Sequence, residues 1–367
     1  MEQLGLEALR RDHKVELVTQ RRDDFVGELE ARGAVCHVMP ALELTPRTAN
    51  PARLLGHCRR GWALANRVGG LARAAGADAL CINSENMLLM PRAGQIAGCP
   101  VALIMRGLRV GELGLAGNVY FKTQQRWVRR YIALVRLGAD MLARKGVPRE
   151  KISVIPNGVD TELYAPRARD EALAAELGVG QDQLVVGAVT HLTPRKGVHH
   201  LVEAMAGIAA RVAGVKCLIV GGVPTPEDEP FAQAVSRRIQ ELHLGDKVRL
   251  LGYRTDVPAL LNLFDVMVHP SESENCPRST LEAQASGVPV VGFRVGGMPE
   301  MVADGVTGVL VEPFDTGAMA EAVIRLLADP AQRQRLGQAG RRRAVRDFDL
   351  KTNVGRIIDL LASLRQG

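Results

Sequence analysis

Short apolar runs alternate with longer helical stretches along the whole chain, and this alternation restricts the fold more than any other feature of the sequence. In the first half the runs are KVELVT, AVCHVMP, ADALCIN, VALIMRG and YIALVR; in the second they are LVVGAVT, VKCLIVGG, KVRLLGY, DVMVHP, VPVVGF and GVLVE. Strands this uniformly apolar need cover on both faces, and intervening helices supply it, so the pattern predicts parallel sheets wound on both sides. A stretch rich in Pro, Asn and Gly, 154–178, falls between the two sets and reads as a hinge. The expected architecture is therefore α/β with two doubly wound, Rossmann-like domains. The first spans 1–157 and the second 158–345, and a C-terminal helical segment, 346–367, is expected to pack back towards the first.

Composition removes several function classes. At 367 residues the chain suits two domains, each able to bury a core. It has no apolar run of about eighteen residues, which excludes a spanning helix, and no cleavable leader is visible at Met1. The 6 cysteines, Cys36, Cys58, Cys81, Cys99, Cys217 and Cys276, contain no C-x-x-C pair. Neither a disulfide framework nor a cysteine zinc site is indicated, and a reducing cytoplasm fits. Residues 1–160 carry a net +9 of the chain's +7, and the remainder carries −2. The basic half is expected to meet an acidic partner. With 4% aromatics and no recognisable module, nucleic acid is the weakest candidate for that partner.

In open parallel sheets ligands bind beyond the carboxyl ends of the strands, so the strand-to-helix loops carry the functional reading. DVMVHP stops at Pro270, and Pro277 suits a first helical position ahead of RSTLEAQAS, with Gly287 as its stop. Glu274 then lies in the loop and Glu282 in the first turns of the helix, whose free N–H groups favour an anion. After LVVGAVT, Arg195 and Lys196 are adjacent, a pair suited to a diphosphate. Glycine pairs follow two other strands, Gly221 with Gly222 and Gly296 with Gly297. Each feature alone is equally a solvated turn; together they fall on one edge of one sheet.

The ordered set VIPNGVD, PRKG, the glutamate pair with its seven-residue gap, EAQASGVPVV and GGMPEMVADGVTGVLVEP resembles the retaining glycosyltransferases of family 4, which have the GT-B fold. The resemblance runs from about Ala8 to the C-terminus. It implies a nucleotide-activated sugar, linked to UDP, GDP or ADP, held in a cleft that two domains face, and transferred to a glycan, lipid or small-molecule acceptor of the bacterial envelope. Position by position, Arg195 and Lys196 would face the donor diphosphate, Glu274 the hydroxyls of the transferred sugar and Glu282 the ribose. Backbone amides across Asn275, Cys276, Pro277 and Arg278, with Gly222 and Gly297, would complete the donor site. The departing phosphate would assist acceptor deprotonation, so no protein nucleophile, metal or cofactor is expected. The string Asp347-Phe348-Asp349 reads as the opening of the last helix rather than a metal site.

Several departures from the family pattern matter. His191 stands where relatives usually have arginine, and ENCP replaces a glycine-containing loop after Glu274. Arg106 occupies a place where relatives often carry histidine; it reads as a contact to acceptor or phosphate on the acceptor side, or as a cap on its strand. Relatives open with a strand and a glycine loop ahead of the helix that here begins near Met1, so the first strand of the N-terminal domain is expected to be missing and activity impaired. Two other readings follow: a non-catalytic GT-B-like nucleotide-binding or scaffold protein, and a sugar-nucleotide epimerase. Finally, VYFKTQQRWVRRYI interleaves aromatic and basic residues. It reads either as a helix packed on the sheet or as a peripheral contact with anionic membrane at its inner face.

Overall fold

The computed structural model describes residues 2–20, 22–39, 51–87, 89–107 and 114–365. The chain divides into two compact units, Met1–Asn157 with Leu350–Gly367, and Gly158–Asp349. The last helix, Leu350–Ser363, thus belongs to the first unit, where it packs on helix Glu2–Arg10 and Arg11 bonds Asp359 at 2.9 Å. The switch comes after Asp349, so helix Pro330–Asp347 stays wholly with the second unit.

In the first unit the sheet is in two pieces. Strands β1 (Glu16–Thr19) and β2 (Val35–Val38) pair in parallel with each other. Strands β3 (Leu80–Ile82), β4 (Val101–Met105), β5 (Val128–Ala133) and β6 (Ile152–Val154) form a separate four-stranded parallel sheet in chain order. Among the described residues no strand joins β1 to β3. Every residue of β4 is buried, as expected of a central parallel strand covered on both faces. Each piece has its own apolar cluster. Leu6, Leu17, Val26, Leu29 and Ala34 sit under β1 and β2, while Phe121, Tyr131, Leu103 and Leu142 centre the larger one.

The stretch 119–132 is neither one helix nor an aromatic belt. Helix Gly114–Gln124 ends, a short turn follows, and β5 starts at Val128. Phe121 and Tyr131 are fully buried, and Trp127 Nε1 donates to Gln95 Oε1 at 3.0 Å. The rings therefore serve the core, leaving Lys122, Arg126 and Arg129 exposed. Among the described residues no helix is long and apolar enough to cross a membrane.

The second unit is one six-stranded parallel sheet in the order β12-β11-β10-β7-β8-β9. Its strands are β7 (Val185–Val189), β8 (Lys216–Val220), β9 (Val248–Gly252), β10 (Val266–His269), β11 (Val290–Phe293) and β12 (Gly308–Val311). The chain leaves β7 in one direction through β8 and β9, then returns to β7's other side with β10. The loops after β7 and β10 thereby become neighbours at the point where the winding reverses, the usual ligand position in such sheets.

Helix Pro51–Ala74 of the first unit packs on helix Arg92–Ala97 through Gly69, where an added Cβ would lie 2.6 Å from Ile96 Cβ and 2.8 Å from the Ala93 carbonyl. The next residue, Gly70, is exposed with nothing within reach. Gly70→Ala should stabilise this unit by about 0.5–1 kcal/mol through helix propensity. Gly69→Ala should destabilise it by about 1–3 kcal/mol through overpacking. Both tryptophans, Trp62 and Trp127, lie in this unit, so urea titration followed by their fluorescence measures the pair directly. Shifts of the same sign would refute the packing account.

Candidate active site

Two loops at the carboxyl edge of the second unit's sheet carry the site. Beyond β7 the chain makes a short 3-10 turn, Pro194–Lys196, and enters helix Val198–Arg211 through Gly197. Gly197 has φ +66°, and any Cβ there would collide with the carbonyl of Pro270, the first residue after β10. Glycine is thus required twice over, for its backbone angle and for the close approach that seats this turn on the next loop. Glu272 N–H donates to the Arg195 carbonyl at 3.0 Å and fixes the contact.

Glu274 is the centre of the arrangement. It is 8% exposed, and Lys196 Nζ donates to its Oε1 at 2.6 Å. Arg195 lies 3.9 Å from the same oxygen while donating to the Ser273 carbonyl at 2.8 Å. His269, the buried last residue of β10, places Nε2 3.2 Å from Oε1, close enough to attract although not aligned as a hydrogen bond. Among the described residues every one of these contacts falls on Oε1, and Oε2 has no partner. Burial opposes ionisation of Glu274, yet the imidazole of His269 and the ammonium of Lys196 outweigh it and hold the carboxyl far below the usual range.

The loop after β11 supports this residue from behind. Gly297 N–H donates to the Glu274 carbonyl at 3.0 Å, and Gly296, at φ +49°, leaves no room for a Cβ against the same carbonyl. On the other side the Gly222 carbonyl accepts from Leu192 N–H at 3.0 Å, tying the loop after β8 to that after β7. Gly222 and Gly297 therefore shape the site through backbone contacts within the protein. His191 is exposed on the β7 loop.

Helix Arg278–Ala285 follows Glu274, with Pro277 as its N-cap and no side-chain cap. The helix starts one residue later than the sequence suggests. Of the four positions expected to offer amides, Pro277 has no N–H to give. The Cys276 side chain turns inward to Met301, Sγ to Sδ 3.3 Å, so only its backbone is available to a ligand. Asn275 is half-buried and Arg278 exposed. Glu282 projects from the second turn, and among the described residues its carboxylate makes no hydrogen bond or ion pair. Burial raises its pKa, partly offset by Arg278. Tyr164 lies close by, its hydroxyl pushed up to about 12 by burial and by the Glu282 charge.

His269 and Tyr164 were not singled out in the sequence. A histidine closing an otherwise apolar strand was a usable signal; nothing local marks Tyr164. Asp347 and Asp349 have structural partners: Asp347 pairs with Arg346 at 2.7 Å at the end of helix Pro330–Asp347, and Thr161 Oγ1 donates to Asp349 at 3.1 Å.

The first unit holds a separate polar cluster. Arg106 donates through Nε to Asn83 at 2.7 Å and through a terminal nitrogen to Asn157 at 2.6 Å. Its N–H and that of Gly107 both donate at 2.8 Å to Glu85, which is 2% exposed. Burial raises the Glu85 pKa against those N–H groups. The sequence reading did not select Glu85.

Because the Glu274 pKa falls on folding, its charge stabilises the fold fully above the unfolded carboxylate pKa, about 4.3, and this contribution is lost as pH falls towards the native value. The stability difference between wild type and Glu274→Gln should be flat above about pH 5 and shrink below about pH 4. Urea unfolding at a series of pH values tests this. A difference that grows on acidification would contradict it.

The family profile described as Glycosyl transferases group 1 matches residues 170–343, and that described as Glycosyltransferase Family 4 matches residues 1–163. Over 212 residues the chain is 37% identical to the alpha-maltose-1-phosphate synthase of Mycolicibacterium smegmatis, covering 54% of this chain and 53% of that protein. It is 33% identical over 229 residues to a GDP-mannose-dependent alpha-(1-6)-phosphatidylinositol monomannoside mannosyltransferase of the same organism, covering 60% and 58%. The chain thus spans about half the length of the curated relatives it matches. Among solved structures, Anabaena HepE in complex with UDP superposes with a TM-score of 0.82 at 24% identity, covering 99% of this chain and 96% of that one. The same fold, the two profiles in succession and the ordered motifs place this chain in glycosyltransferase family 4, with the GT-B fold.

Proposed function

We propose that the chain is a retaining, metal-independent hexosyltransferase that takes a sugar from a nucleoside diphosphate donor. The observation that carries this reading is the division within Glu274: one oxygen is held by Lys196 and Arg195, and the other has no partner among the described residues. A buried carboxylate fixed in this way can accept from vicinal sugar hydroxyls without moving. Lys196 and Arg195, already beside it, meet the diphosphate, and the uncapped start of helix Arg278–Ala285 adds backbone N–H groups. Glu282 accepts from the ribose. As the bond from the sugar's anomeric carbon to the diphosphate breaks, its electron pair passes to the phosphate oxygen, which these cations stabilise. The acceptor hydroxyl attacks from the same face and its proton passes to that departing oxygen. HepE has been solved with UDP-glucose, and the mannosyltransferase relative is named for GDP-mannose, so UDP and GDP are the first nucleotides to test.

Calorimetry with UDP, GDP and ADP should find one clearly preferred. Lys196→Ala and Glu282→Ala should each weaken it by about 1–3 kcal/mol. Glu274→Gln releases Lys196 from its partner and should leave the bare diphosphate bound at least as well, while abolishing sugar transfer. Equal losses in all three would overturn the assignment of roles. Binding of a nucleotide sugar with no transfer to any acceptor would favour a non-catalytic binding protein, and conversion of the donor alone an epimerase.

The acceptor is a glycan or lipid, and the working place is the cytoplasm at the inner face of the membrane. With Phe121 and Tyr131 buried, attachment rests on Lys122, Arg126 and Arg129 and is electrostatic. Flotation with anionic vesicles at low salt should recover the chain, and raised salt should release it. Equal recovery with neutral vesicles would refute this.

A further inference from the structure

Two consecutive histidines open helix Val198–Arg211, and neither belongs to the donor chemistry described above. His200 Nε2 lies 3.2 Å from Glu272 Oε1, and His199 Nε2 lies 3.7 Å from the same oxygen. One ligand atom from each of the three residues can be chosen so that all lie within 4.8 Å of one another. Donors held about 2.0–2.1 Å from a tetrahedral ion stand about 3.3–3.4 Å apart, so two of the three separations are already near those of a coordinated set. The arrangement is built into the fold. Gly197 brings the helix start onto Pro270, and Glu272 N–H is tied to the Arg195 carbonyl. The two imidazoles stack with centroids 3.9 Å apart. Phe231 stands 5.6 Å from His199, and Phe293 and Phe314 stand 5.4 and 5.6 Å from His200. Phe314 itself keeps a left-handed backbone, φ +67°, an uncommon state for a bulky residue.

We propose that His199, His200 and Glu272 form a binding site for a divalent transition-metal ion of the zinc type. Two imidazoles and one carboxylate suit Zn²⁺ and its neighbours rather than Mg²⁺ or Ca²⁺, which prefer oxygen ligands. Three protein donors leave a fourth position to water. The ion takes no part in the transfer reaction. It staples the start of helix Val198–Arg211, two residues beyond Lys196, to the loop after β10, which carries Glu274.

The test uses the full chain, stripped with a chelator and titrated with Co²⁺ and then Zn²⁺. The expected result is one equivalent of Co²⁺ with the visible absorption of a low-coordinate imidazole site, displaced by Zn²⁺. His200→Asn and Glu272→Gln should each weaken uptake at least ~10-fold, since even loss of an outer-shell partner of a metal ligand costs 10–100-fold. Zinc should also raise the melting temperature of wild type but not of these variants. Glu272 is 36% exposed, so Glu272→Gln should fold normally, shown by an unchanged melting temperature in chelator, and it carries the test alone if His200→Asn does not. Failure of wild type to bind Co²⁺, or uptake by both variants with wild-type affinity and spectrum, would overturn the site. These outcomes are independent of nucleotide binding.

Discussion

A single buried charge organises the second unit. Taking the Glu274 carboxylate out of water costs several kcal/mol, and the fold offsets that with the Lys196 hydrogen bond and with His269 held close to the same oxygen. Loops from three different strands must therefore end in register. The turn after β7 brings Lys196, β10 ends on His269, and the glycines after β11 close on the Glu274 backbone. Glycine at 197 and 296 follows from this convergence, because a side chain at either would push two loops apart at the point where the charges meet. Removing one partner leaves the other buried and uncompensated, which is why such pairs are costly to break even when they add little net stability.

The two glutamates, Glu274 and Glu282, are held in opposite ways. Glu274 is kept ionised by neighbours, while Glu282 is partly buried with no cation bonded to it among the described residues, and its pKa rises. One fold thus prepares two carboxylates differently within eight positions along the chain. The first is fixed and preorganised; the second keeps its hydrogen-bonding capacity for whatever enters.

Much of this was legible in the sequence, for identifiable reasons. Apolar runs bounded by glycine and proline mark parallel strands, and the site residues Lys196, Glu274 and Glu282 sit where such strands hand over to helices. What escaped was convergence. His269 lies in the strand rather than the loop, and Tyr164 reaches Glu282 from far along the chain, so no local spacing announces either. Glu85 was missed because its partners are backbone N–H groups, which carry no side-chain signature. The 119–132 stretch reads in the sequence as one packed helix or a membrane contact, whereas a helix ends at Gln124 and β5 starts at Val128, with Phe121 buried on the first and Tyr131 on the second. At Pro277 the error was chemical: a position was counted as an amide donor although proline has none.

The small parallel ribbon of β1 and β2 sets a dynamic limit on the first unit. Two strands alone are marginal in water, and here Val18, Val35 and Val38 are 38%, 51% and 46% exposed above a cluster centred on five buried side chains. Among the described residues its ladder is not continuous with the four-stranded sheet, so opening it breaks no described strand pairing of β3 to β6. Such a piece is expected to open as a foldon of its own, its amide protons exchanging sub-globally ahead of those of β4 and β5 in the larger sheet.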